Sequence, residues 1–219
     1  MYEVRLFKGL REPYITAHQL IKAEYIGGFW KKLFLLLFLT FLLSTITAYY
    51  GIGNELLSKE LNTTSSTEFE AAKSLFAGGQ IIWSILVAIT TITIPSVFFW
   101  AISDIEWKKY IVVQSFILTI LLIETIITIP FAILIGLPEI SNPFSLGAIG
   151  QSLTSNDIIL QLLTEITIFK IWAIVLQIKY IKVLAEKTAK QATLIVIGFN
   201  LIILVITVFL AIMDLEKLL

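Results

Sequence analysis

The feature that most constrains this chain is a series of five long apolar runs, residues 33–53, 80–101, 110–136, 157–182 and 192–213. About 20 apolar residues in helical conformation cross a hydrocarbon layer about 30 Å thick. Lipid offers peptide groups no hydrogen-bond partners, so a spanning backbone must satisfy itself in a helix or in a closed barrel. Barrel strands are short and alternate polar with apolar positions, whereas these runs are continuous. The expected fold class is all-α, a polytopic bundle of five transmembrane helices. The 32 mostly polar residues ahead of the first run are unlike the short charged region of a cleavable signal peptide, so the first span is expected to be retained.

Lysine and arginine give the bundle a direction. Arg5, Lys8, Arg11, Lys22, Lys31 and Lys32 precede the first span, Lys108 and Lys109 sit in the second connection, and Lys179, Lys182, Lys187 and Lys190 flank the fourth. The other side carries only Lys59, Lys73 and Lys217. By the positive-inside rule the N-terminus is cytoplasmic and the C-terminus extracytoplasmic, as expected of a multi-pass protein of the cell (inner) membrane. Residues 1–32 then form a cytoplasmic segment, 33–213 the membrane domain and 214–219 a short outer tail.

Composition closes several functional classes. With 58% hydrophobic and 15% charged residues, a mean hydropathy of +0.92 and zero formal net charge, the chain lacks the basic footprint that neutralises nucleic-acid phosphates. It has no cysteine and a single histidine, His18, which removes thiol chemistry and the thiolate or multi-histidine metal sites. No metal and no cofactor are expected. The motifs His-Glu-x-x-His, Gly-x-Ser-x-Gly, Gly-x-x-x-x-Gly-Lys and Gly-x-Gly-x-x-Gly are all missing, and no enzymatic activity is expected. Gly51-Ile52-Gly53-Asn54 approaches an intramembrane aspartyl protease signature, but Asn replaces the Asp, so it reads as a flexible helix exit.

Two clusters, Trp30-Lys31-Lys32 and Trp107-Lys108-Lys109, read as interface anchors, with indoles at headgroup level and lysines reaching the anionic surface. Pro13 and Thr16 open a helix-compatible stretch to about Tyr25, followed by a Gly27-Gly28 joint. A helical wheel places Tyr14, Ile15, Ile21, Tyr25 and Ile26 on one side together with His18 and Lys22, which is the pattern of an interfacial helix. The first outer connection holds the low-complexity patch 62–67, a match to a glycosylation acceptor at Asn62, and an expected short helix over 69–76.

Ionisable groups inside a span are costly and are by default candidate functional residues. Glu124, Glu165 and Lys170 qualify, with Asn200 as a polar partner. Depth along each run places Glu124, Lys170 and Asn200 in one midplane layer. On a continuous helix Glu165 stands five residues from Lys170, a rotation of roughly 140°, so those two should not share a face. The expectation is therefore a Glu124–Lys170 packing pair, with a proton or ion relay through Glu124, Glu165 and Lys170 as the sharper alternative. Pro95 and Pro130 interrupt the second and third spans.

Asn142-Pro143-Phe144-Ser145-Leu146-Gly147, followed by Ile166-Thr167-Ile168-Phe169-Lys170-Ile171-Trp172, a basic inner loop and a last apolar span, resembles the bacterial branch of the Yip family, five-span proteins named for interaction with Ypt/Rab GTPases. That family often has hydrophobic-Asp-hydrophobic-Phe-x-x-Trp at the start of its fourth span. Phe169 and Trp172 match, and Thr167 stands in the Asp position. The Asp-Leu-Tyr-Gly-Pro motif of GTPase-binding members is missing, so GTPase binding is not carried over. The resemblance implies an accessory role beside another membrane protein, such as an ABC exporter or an envelope-stress system. A non-enzymatic scaffold acting through lateral helix contacts, with itself or with a membrane partner, is the expected function. A small transporter or channel using the intramembrane charges is the alternative.

Overall fold

A computed structural model describes residues 1–52 and 66–212, and their architecture is helical. A two-residue strand β1 (Tyr2–Glu3) leads to short helices α1 (Leu6–Arg11) and α2 (Pro13–Ile21). Strand β2 (Ile26–Gly27) then pairs in parallel with β1. Helix α3 (Phe29–Tyr49) follows Gly28, whose φ of 71° is the left-handed geometry that glycine adopts without cost. The Gly27-Gly28 joint is thus a turn from the strand into the first span. Next come α4 (Ser66–Ala101) and α5 (Trp107–Ile135), long helices that run through Pro95 and Pro130. The helix expected over 69–76 is therefore the first part of α4, while most of the 62–67 patch and the Asn62 acceptor lie outside the described residues.

Among the described residues, four helices are long and apolar enough to cross a membrane: Phe29–Tyr49, Lys73–Ala101, Trp107–Ile135 and Ala189–Leu210. The run 157–182 is not among them, because it is not one helix. After a 3-10 turn at Glu139–Ser141, the chain makes α6 (Gly147–Leu153), α7 (Asp157–Thr164) and α8 (Ile168–Leu184), and ends in α9 (Ala189–Ile212). Helix α8 has 17 residues, a length of about 25 Å, and falls short of a full span.

The break has a local cause. Asn156 caps α7 by accepting from the Ile158 and Ile159 amides at 3.0 and 3.2 Å. Thr167 caps α8 by accepting from the Lys170 amide at 3.1 Å. Between the two helices the chain is extended and forms an antiparallel bridge, Ser145 with Thr167. The Leu146 amide donates to the Ile166 carbonyl and the Ile168 amide to the Phe144 carbonyl, each at 3.0 Å. Backbone that leaves a helix inside an apolar bundle must find other partners, and the Asn142–Leu146 stretch supplies them. Gly147 and Gly150 let α6 lie directly on α7, since a Cβ on Gly147 would meet Thr164 Oγ1 at 2.4 Å.

The core is concentrated around the first half of α5, where residues 109–120 are buried without interruption. No single neighbour can cover a helix all round. Here α3, α4 and α8 share the task with α1 from the N-terminal unit. Farther along, Ile126, Leu134 and Ile135 are exposed. The apolar side of the N-terminal wheel is divided, with Ile21 and Ile26 half-buried against the core. Tyr14, Ile15 and Tyr25 are exposed, while Pro13, Thr16, Ala17 and Leu20 are buried as α2 packs on α8. Small side chains permit the close approach of helix backbones. Gly9 extends that approach to α5, where the ring of the fully buried Phe116 lies 2.6 Å from the position a Cβ would take.

Candidate functional site

Three side-chain amides form a connected polar group inside the bundle. Gln177 on α8 donates through Nε2 to Gln114 Oε1 on α5 at 2.9 Å. Asn200 on α9 donates through Nδ2 to Gln177 Oε1 at 2.9 Å, and to the Val196 carbonyl of its own helix at 2.8 Å. Gln114 and Gln177 are buried and Asn200 is half-buried. Gln177 thus donates to one helix and accepts from another, fixing the relative rotation of three helices. One donor, Gln114 Nε2, is buried without a partner.

This chain of amides corrects the expected midplane layer. Asn200 stands level with Gln177 and Gln114, seven residues from Lys170 along α8 and ten from Glu124 along α5. At 1.5 Å per residue those offsets are about 10 and about 15 Å. Glu124 is half-buried on α5.

The Lys170 ammonium is ion-paired with Glu165, where depth alone favours Glu124. On an unbroken helix the two side chains would diverge, but the turn at Ile166-Thr167 resets the rotation between α7 and α8 and brings them together. The Glu165 side chain is 14% exposed and that of Lys170 41% exposed, so the pair opens to the surroundings on the lysine side.

The residues that carry the family resemblance build this same corner. The Asn142 side chain accepts from the Phe144 amide at 3.0 Å and turns the chain at Pro143. The Phe144 ring sits between Phe131 of α5 and Phe169 of α8, with centroids 5.9 and 5.6 Å away. Trp172, by contrast, is 39% exposed and points outward. Thr167 has a definite task as the N-cap of α8, a position that Asp would fill equally well. Thr167→Val preserves shape and removes the acceptor. It is expected to destabilise the protein by about 1 kcal/mol, read as a lowered melting temperature in detergent; an unchanged value would remove the cap from this account.

Of the expected anchors, Trp30, Lys31, Trp107 and Lys108 are exposed and Lys32 is half-buried. Lys109 differs. It is buried, and its ammonium donates to the carbonyl of Ile21, the last residue of α2, at 2.8 Å. A cation at a helix C-terminus meets both free carbonyls and the negative end of the dipole. Lys109 therefore ties the N-terminal unit to α5 instead of reaching for headgroups. The Tyr180 hydroxyl adds a second tie, donating to the Gly9 carbonyl at 2.9 Å. Nearby, burial pushes the Tyr2 phenol up to about 12, with the Arg5 backbone hydrogen bond and charge acting in the opposite direction.

Gln114 and Gln177 carry no charge and so do not stand out among the ionisable groups of the spans. Their signal was present nonetheless, since each glutamine interrupts an otherwise apolar run. Comparison of the chain with protein-family models, with curated proteins and with solved structures finds no match.

Proposed function

We propose that this protein is a five-crossing membrane scaffold that works through lateral contacts of its helices with another membrane protein. In this reading α7 and α8 together make the fourth crossing, with the N-terminus cytoplasmic. The observation that carries the proposal is that the intramembrane polar groups close on one another. Gln114, Gln177 and Asn200 form one chain, and Glu165 and Lys170 form a pair. Polar groups spent on internal contacts fix a shape, and the outward faces of α3 and α9 are left apolar, with Phe34, Leu201, Ile202 and Phe209 exposed. The resemblance to the Yip family points the same way and names a class of partner, an exporter or envelope-stress complex.

Purification in mild detergent with identification of co-purifying membrane proteins tests this reading directly. A stoichiometric membrane partner is expected. Single cysteines at Leu153 and Lys187 test the sidedness, with Leu153→Cys labelled from outside in intact cells and Lys187→Cys protected.

One observation favours transport as a second reading. Interrupted helices with charges at the break are where many transporters hold substrate, and α7–α8 breaks at Glu165–Lys170. Ion flux in proteoliposomes that is abolished by Lys170→Met or Glu124→Gln, with the fold intact, would replace the scaffold reading.

A further inference from the structure

A depression of about 370 Å³ lies where the start of α3 meets the start of α5. Trp30 and Lys31 of one anchor cluster and Lys108 of the other line it. Its wall carries two cations, Lys31 and Lys108, two carboxylates, Glu24 and Glu106, and the exposed rings of Tyr25 and Trp30.

The charges are arranged in an unusual way. Among the described residues, ion pairs join Arg5 to Glu3, Lys8 to Glu12 and Lys170 to Glu165, and none involves these four groups. Glu106 stands at the N-cap of α5 yet makes no capping hydrogen bond. Two positive and two negative side chains thus share one wall with no ion pair among them. The larger depression nearby, lined by Arg5, Lys8 and Lys22, differs in that Arg5 and Lys8 already have carboxylate partners.

We propose that this depression seats the headgroup of a zwitterionic glycerophospholipid. Its phosphate lies toward Lys31 and Lys108, and its alkylammonium toward Glu24 and Glu106. Charge-assisted hydrogen bonds to a phosphate and to an ammonium require both signs in one site, and a purely anionic lipid would leave the two carboxylates opposed to it. Tyr25 and Trp30 supply amphipathic rings suited to headgroup depth, and their faces attract an ammonium. The inference depends on the depth of this end of the bundle, not on which side of the membrane it faces. It therefore stands or falls separately from the scaffold reading.

The test uses the full chain in nanodiscs of equal parts phosphatidylethanolamine, phosphatidylcholine and phosphatidylglycerol, with retained lipid identified by native mass spectrometry. The two zwitterionic lipids should each be retained over phosphatidylglycerol by about fivefold or more, and which of them leads tells whether hydrogen bonding or ring contact dominates. Glu24→Gln with Glu106→Gln should erase that preference, whereas Lys31→Gln and Lys108→Gln should each lower retention of all three by about fivefold. Phosphatidylglycerol retained equally or better by the unaltered protein overturns the proposal without any variant. So does a preference that survives the double carboxamide substitution in protein of unchanged melting temperature. Soluble phosphorylethanolamine raising the melting temperature as much as the lipid would assign the site to a free solute and overturn its lipid assignment.

Discussion

Gly9→Val is expected to release the N-terminal unit from the bundle and lower the melting temperature sharply. The nearest atoms to a Cβ at this position all belong to the Phe116 ring, at 2.6 to 2.8 Å. That ring has no exposed surface and packs tilted against Tyr180 at 5.5 Å between centroids, so it has nowhere to retreat. Overpacking a core costs about 1–3 kcal/mol and occasionally more. The upper end is expected here, because displacing Gly9 also strains the Tyr180 hydrogen bond to its carbonyl. The readout is tryptic cleavage at Arg5, Lys8, Arg11 and Lys22, slow in the native protein and fast in the variant. Since one ring accounts for the close contact, Gly9→Ala combined with Phe116→Leu should recover part of the loss from Gly9→Ala alone. Cleavage at the native rate in Gly9→Val would show that residues 1–27 are not seated against α5.

Gln177→Leu is expected to destabilise more than leucine at either partner. Gln177 is the shared member of the amide chain, so its loss strands Gln114 Oε1 and one Asn200 donor contact together. Interhelical hydrogen bonds in membranes are each worth about 0.6 kcal/mol and up to about 1.7, and a buried group left unsatisfied adds a penalty. A total of about 1–3 kcal/mol follows for the single substitution. Replacing all three residues with leucine removes every stranded group at once, and such complete replacements can be close to neutral. The triple variant should therefore be more stable than Gln177→Leu, measured by steric-trapping or thermal unfolding in one detergent. Losses that simply add across the three positions would argue against a connected chain.

Hydropathy was a good guide wherever a helix is long and meets lipid. α3, α4, α5 and α9 coincide with apolar runs to within a few residues, apart from the extension of α4 back to Ser66. It could not see the break at Ile166-Thr167, because an isoleucine is equally apolar in a helix and in a bridge. The β-branched run with a threonine before Ile168 was the available sign of a helix start. The docked face of α2 was missed for a related reason. Thr16 and Ala17 on α2, like Gly9 on α1, are small, which adds little to an amphipathic pattern. The Glu165–Lys170 pair was excluded by a rotation that holds only along an unbroken helix. The amide chain is not legible in the pattern of charges, because its side chains are neutral.

The seating of the N-terminal unit also bears on the order in which the molecule is assembled. Gly9 and its partner Tyr180 are 171 positions apart, and at a synthesis rate of about 5–20 residues per second the ribosome needs roughly 10–30 s to pass from one to the other. Lys109, which holds the end of α2, is also made long after Ile21. The first helices must therefore wait, with Leu10, Ala17 and Leu20 uncovered, until α5 and α8 have been made. Closure of this unit is a late event that waits for both α5 and α8, so an error in the placement of either leaves an unseated N-terminus open to proteolysis.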